Sequence, residues 1–320
     1  MAKNIPIRFT DADAARTHLE ALQWPNGPAC PHCTSVNRAS SIKGGRPGLW
    51  FCNVCRKQFS VTVGTVFERS KIPLNIWLYA NHLLCSSKKG ISSHQLARML
   101  GVTYKTAWFM SHRIRAAMTP PAPEPLGGMG KIVEADETYI GKADGKNTKR
   151  YGGYGHKQKV LALVERGGNV RSMRIKDGTK LEITDIIRTH VDPASILHTD
   201  GAGVYTNTGA VRIHESVDHK KEYVRKGKAG RTVHTNTLEG FFSIFKRGMI
   251  GTYQHCGEQH LNMYLSEFDF RQNNRIAVGI DDTMRAELAL KGIVGKRITY
   301  RISGSAKNAA PESGSIPPVA

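Results

Sequence analysis

Lys131-Ile132-Val133-Glu134-Ala135-Asp136 is an apolar run that ends on a carboxylate, and its reading decides the fold. It predicts a strand over 131–136. Glu134 and Glu137 are alternatives near Asp136; period-two alternation puts Glu134 on the same face as Asp136 and Glu137 on the other. Val160-Leu161-Ala162-Leu163-Val164-Glu165, a Gly167-Gly168-Asn169 turn and the alternating Val170-Arg171-Ser172-Met173-Arg174-Ile175 predict a hairpin beyond it. Leu181 to His190 predicts a helix, and Ser195-Ile196-Leu197-His198-Thr199-Asp200 a buried strand that again ends on Asp. The chain from Gly209 to Gly230 reads as irregular and basic. Leu238 to about Met249 and His260 to Arg275 read as helices. The expected fold class is α/β in a multi-domain chain.

Asp136 and Asp200 become neighbours if their strands pair in one sheet. Glu239, in Asn236-Thr237-Leu238-Glu239-Gly240-Phe241-Phe242, can lie across them from a helix. A strand-end Asp taken singly is usually a cap or a surface residue; the set points to chemistry. Two-metal phosphoryl transfer needs carboxylates that hold divalent ions about 3.5–4 Å apart. Oxygen ligands suit hard cations, hence two Mg²⁺ (or Mn²⁺) ions. Lys246 shares the face of Glu239 about two helical turns on, and is a candidate phosphate ligand; Arg247 points elsewhere. Asn236 is the alternative third ligand, or a helix cap.

Upstream, Thr119-Pro120-Pro121-Ala122-Pro123-Glu124-Pro125-Leu126-Gly127-Gly128 cannot continue a helix and reads as a linker. Before it, a helical region runs from Pro73 to about Met118. Ile91 to Leu100, Gly101, and a second helix capped by Thr103 predict a helix-turn-helix. Tyr104, Lys105, Thr106, His112 and Arg113 are its candidate DNA contacts. Cys30-Pro31-His32-Cys33 and Cys52-Asn53-Val54-Cys55 are two short knuckles that supply four thiolates to one structural Zn²⁺. Gly44 to Phe51 fits a hairpin between them. Cys85 and Cys256 read as core cysteines. Asp11 to Leu22 reads as a short helix.

The charge names the partner class. Lys and Arg total 46 against 26 Asp and Glu, a formal net charge of +20 spread along 320 residues. Such a surface binds phosphate backbones by counterion release. His219 to Arg231, with Lys220, Lys221 and Arg225, reads as a phosphate-binding segment, and Tyr151 to Lys157 as a DNA-facing loop that matches no nucleotide-binding loop. No apolar stretch reaches the roughly 20 residues of a membrane helix, and the N-terminus lacks a signal-peptide core. A cytoplasmic, nucleoid-associated protein is expected.

Glu134-Ala135-Asp136-Glu137-Thr138-Tyr139-Ile140-Gly141-Lys142, His198-Thr199-Asp200-Gly201-Ala202-Gly203-Val204-Tyr205 and His234-Thr235-Asn236-Thr237-Leu238-Glu239-Gly240-Phe241-Phe242 with Lys246-Arg247-Gly248 resemble three catalytic blocks of one family. Glu267-Phe268-Asp269-Phe270-Arg271 with Asn273-Asn274-Arg275 is similar to its closing helix. The family is the DDE transposases of bacterial insertion sequences related to Merlin elements, whose members also carry a zinc ribbon and a helix-turn-helix. The resemblance covers about residues 10–280. It implies an RNase H-like mixed sheet flanked by helices, Mg²⁺-dependent cleavage at element ends, and attack of the 3′-OH on target DNA. It makes Asp136 and Asp200 metal ligands, and leaves the third position to Glu239, favoured, or Asn236. Arg271 either contacts DNA or pairs with Glu267. The implied partners are double-stranded element ends and target DNA, with a homodimer or larger assembly. The expected domains are a helix and zinc ribbon (1–70), the helix-turn-helix (71–118), the linker (119–129), the catalytic domain (130–280) and an extension (281–320) disordered at its end. A nuclease that only hydrolyses, and a zinc-ribbon regulator without catalysis, are the rival readings.

Overall fold

The computed structural model describes residues 5–120, 123–143, 155–206, 209–227 and 230–298. Asp11 caps α1 (Ala12–Gln23) by accepting the Ala14 amide at 2.7 Å. Three short antiparallel strands follow: β1 (Ala39–Ser41), β2 (Trp50–Cys52) and β3 (Gln58–Phe59). Their core is only Cys30, Cys52 and Phe59, flanked by Trp24 and Trp50. A core of that size needs a metal staple. Next come α2 (Leu74–Ser86), α3 (Ser93–Leu100) and α4 (Tyr104–Met118). Ser92 and Thr103 cap the last two, and Gly101 between them takes the left-handed φ of 65° that the tight turn requires. That is the helix-turn-helix expected from the sequence.

The second body is a five-stranded mixed sheet built from β4 (Ile132–Ile140), β5 (Gln158–Glu165), β6 (Val170–Ile175), β7 (Ile196–Asp200) and β8 (Ile213–Val217), in the order β6-β5-β4-β7-β8. The first three strands pair antiparallel; β7 and β8 run parallel to β4. Between β6 and β7, α5 (Lys180–His190) covers one face, packing Ile183 and Ile187 with Val133, Ala135 and Leu197. A two-residue ribbon, β9 (Arg225–Lys226) with β10 (Thr232–Val233), precedes α6 (Asn236–Gly248) and α7 (Leu261–Asn273). These two helices bury Leu238, Phe241, Phe245, Leu265 and Phe268 on the other face.

Two expectations are corrected. The segment 209–230, read as irregular, contains β8 and β9; buried Glu215 interrupts the apolar alternation of β8 and hid it. The first strand runs on to Ile140, because β5 continues to pair with it out to Gln158. The edge of β6 is closed by α7: Asn273, Asp269 and Asn262 accept the amides of Val170, Ser172 and Arg174. The linker docks through Leu126, whose backbone exchanges hydrogen bonds with His190 and Asp192. The Gly-rich stretch read as a DNA-facing loop is described only at 155–157, and the tail after Ser303 lies outside the described residues.

The chain then returns to its first body. α8 (Asp282–Lys291) contributes Ala286, Ala289 and Leu290 to the core of α1, α2 and α4. Asn81 donates to the Ala286 carbonyl at 2.8 Å and Arg285 to the Cys85 carbonyl at 2.9 Å. The two bodies are bolted by buried charge. Arg115 of α4 donates to Glu267 of α7 at 2.6 Å, and both are fully buried. Arg271 and the Tyr253 hydroxyl also donate to Glu267. Burial alone raises a carboxyl, but Arg271 and Arg115 outweigh it and bring Glu267 down to about 2. Arg271 is therefore not a DNA contact: with 7% exposure it is a partner of Glu267.

Removing one partner of a buried ion pair strands the others. Glu267→Gln is expected to cost about 3–5 kcal/mol at pH 7 in urea unfolding. A carboxyl depressed on folding contributes above its unfolded pKa of about 4.3, so the gap between variant and parent should narrow as pH falls from about 4 towards 2.

Candidate active site

The register of β4 with β7 builds the site. Ala135 lies opposite Thr199, so Asp136 and Asp200 come next in line on adjacent strands, about 4.8 Å apart. The Glu137 amide donates to Asp136 at 2.8 Å and the Ala202 amide to Asp200 at 3.0 Å, which orients both carboxylates. Glu137 points to the face of α5, as alternation predicts, where the Tyr205 hydroxyl donates to it. Its carboxylate still reaches the pair. One ligand oxygen from each of Asp136, Glu137 and Asp200 lies within 4.8 Å of the others. Of the two alternatives near Asp136 in the sequence, Glu137 joins the group although it lies on the opposite strand face, and Glu134 does not.

Burial pushes Asp136 up to about 7, and the charges of Asp200, Glu137 and Glu239 add to it. Burial likewise raises Glu137, against the Tyr205 hydroxyl bond. Half-buried carboxylates that repel one another within 4.8 Å fit a divalent cation, and a set made only of oxygens fits Mg²⁺ or Mn²⁺. Glu239 stands at the rim, with 44% of its side chain exposed. It is close enough to act on Asp136, and His219 Nδ1 lies 3.6 Å from its carboxylate. Asn236 is exposed in the first turn of α6 and does not cap it. Lys246 is exposed on the same helix.

The cap comes instead from β4. Glu134, fully buried, accepts the Thr237 amide at 3.0 Å, the Leu238 amide at 3.2 Å and the Thr237 hydroxyl at 2.9 Å. Arg166 donates to the same carboxylate at 2.9 Å. Burial and then Arg166 push His198 down to about 4 and also lower His234, so both rings are neutral acceptors of the guanidinium. His198 and His234 stood inside the sequence blocks without a role; Arg166 carried no local signal at all.

The other candidates divide. Tyr104 stacks on His94 at 4.2 Å and is 47% exposed, and Lys105 is exposed beside it. The Thr106 hydroxyl is 2.9 Å from that of Thr103. His112 and Arg113 are corrected: α4 is enclosed on all sides from Met110 to Arg115. Arg113 spends its guanidinium on the Glu68 and Ile298 carbonyls, and His112 packs against His260. Lys220 and Lys221 are exposed. Arg225 is turned back on the Ser216 carbonyl at 2.6 Å and lies 3.9 Å from Glu215. Cys30, Cys33, Cys52 and Cys55 bring four sulfurs within 4.8 Å, which fits tetrahedral Zn²⁺. The Ser35 hydroxyl pulls the Cys52 thiol down to about 6, favouring the thiolate, while burial pushes Cys55 up to about 12.

Comparison with known proteins adds what the chain is similar to. Residues 125–273 match the ISXO2-like transposase domain and residues 10–58 the transposase zinc-ribbon domain. The chain is 27% identical over 288 residues to an uncharacterized protein in transposable element ISH50 of Halobacterium salinarum, covering 84% of this chain and 93% of the relative. Among solved structures, the Mos1 transposase paired-end complex with left transposon end aligns over 68% of this chain and 74% of its own, with 14% identity and a TM-score of 0.27.

Asp136→Asn removes repulsion from the metal-free site. It is expected to raise the melting temperature at pH 8 by about 2–4 °C, the equivalent of about 1 kcal/mol, and to abolish stabilisation by Mn²⁺. Stripping Zn²⁺ with a chelator should unfold the ribbon, read as loss of the environment of Trp24 and Trp50 in fluorescence.

Proposed function

We infer, from a chain that carries a transposase zinc ribbon ahead of an ISXO2-like transposase domain, that it cuts element ends and joins them to target DNA. The observation that carries this reading is the convergence of Asp136, Glu137 and Asp200 in a chain of net charge +20. Asp136 and Asp200, with Glu137 beside them and Glu239 closing from α6, would hold divalent cations. Such ions, when bound, activate the attacking oxygen and neutralise charge on the phosphate.

The protein's own groups do the rest. Glu137 is held by Tyr205 and Asp200 by the Ala202 amide, so the carboxylates are pre-oriented. Lys246 lies about 10 Å along α6 from Glu239, within reach of the next phosphates of a bound strand. Lys220 and Lys221 extend that cationic surface, and Tyr104, Lys105 and Thr106 face the duplex from the start of α4. Two element ends require two active sites, hence a dimer or larger assembly in the nucleoid.

The test is a reaction of 3′-OH duplex ends, bearing the inverted repeats that flank the gene, with supercoiled plasmid and Mg²⁺. Joined products are expected, with Asp136→Ala, Asp200→Ala and Glu239→Gln reduced to background and Asn236→Ala largely active. Hydrolytic cuts alone would identify a nuclease, and a parent protein that binds DNA but neither cuts nor joins it, with every DNA function intact in Asp136→Ala and Asp200→Ala, would identify a regulator.

A further inference from the structure

Asp136, Asp200 and Glu239 sit on three separate chain segments, β4, β7 and α6, and no hydrogen bond of their carboxylates joins one of these segments to another. We propose that Arg166, in the turn after β5, is the positioning residue that does so; this rests on the functional reading above. Its Nε donates to Glu134 at 2.9 Å, and Glu134 lies two residues before Asp136 on β4. One Nη donates to His198 Nδ1 at 3.1 Å, and His198 lies two residues before Asp200 on β7. The same nitrogen meets the His234 ring at 3.2 Å and the His234 carbonyl at 3.1 Å, while the other Nη reaches the Thr232 carbonyl at 3.0 Å. These last three fix the lead into α6, whose amides Glu134 receives.

Two residues along a strand return to the same face about 7 Å away. The guanidinium therefore sits one layer beneath the carboxylates and touches the supporting residue of each. A planar fork with five donors can do this; a lysine's ammonium has three and no fixed plane. The arrangement is what a metal site needs behind its ligands, since displacing supporting groups typically costs 10–100-fold in metal affinity.

The experiment uses the full chain and Mn²⁺ as probe, with Arg166→Lys and the milder Thr237→Val, which removes the hydroxyl donor to Glu134. Mn²⁺ affinity is measured by calorimetry without DNA, alongside melting temperature, duplex binding and metal-dependent end cleavage. Arg166→Lys should bind DNA as the parent does but hold Mn²⁺ about tenfold more weakly or worse, with kcat reduced, KM for DNA unchanged and the Mn²⁺ requirement shifted in step. Thr237→Val should show the same pattern, smaller. Unchanged Mn²⁺ affinity in both folded variants would overturn the assignment, as would losses that merely follow melting temperature. A parent protein that neither binds Mn²⁺ nor cuts DNA would instead sink the functional reading.

Discussion

A carboxylate with no exposure must have its oxygens answered, and the answer to Glu134 organises the whole sheet body. Its four donors are Arg166 Nε, the Thr237 hydroxyl and the Thr237 and Leu238 amides. Two of these are orphan amides of the first turn of α6, where a negative charge is favoured by both hydrogen bonding and the helix dipole. One buried side chain therefore fixes where α6 begins relative to β4. Glu239 and Lys246 take their places from that start, and the apolar stripe Leu238, Phe241 and Phe245 is set against Val160, Ala162 and Val164.

The second organising contact is the buried Arg115–Glu267–Arg271 set. It joins the helix that presents Tyr104 to the helix that backs the sheet. Because α8 returns to pack on α2, the chain brackets its sheet body between two parts of the helical core.

Legibility followed the range of the interactions. Gly101, Ser92 and Thr103 set turns and caps through their immediate neighbours, so the helix-turn-helix was visible in the sequence. The cysteine knuckles, the start of the strand that carries Asp136 and the strand ending on Asp200 were visible for the same reason. Strand β8 was not, since a buried Glu215 makes sense only with β7 beside it and His198 4.0 Å away. Arg113 was misread because a basic residue on a helix looks alike whether it faces phosphate or a carbonyl of a distant segment, and of the two readings open for Arg271 burial selected the pair with Glu267.

The sequence by itself determined the fold class, the two cysteine knuckles, and the candidate acids Asp136 and Asp200, because periodicity, spacing and residue chemistry are local. Only the tertiary structure brought Glu137 within reach of Asp136 and Asp200, left Glu239 at the rim under His219, and set Arg166 beneath them. The physical reason is that these roles are distances between segments 30 to 100 residues apart, created by strand register and by the need to satisfy buried charge.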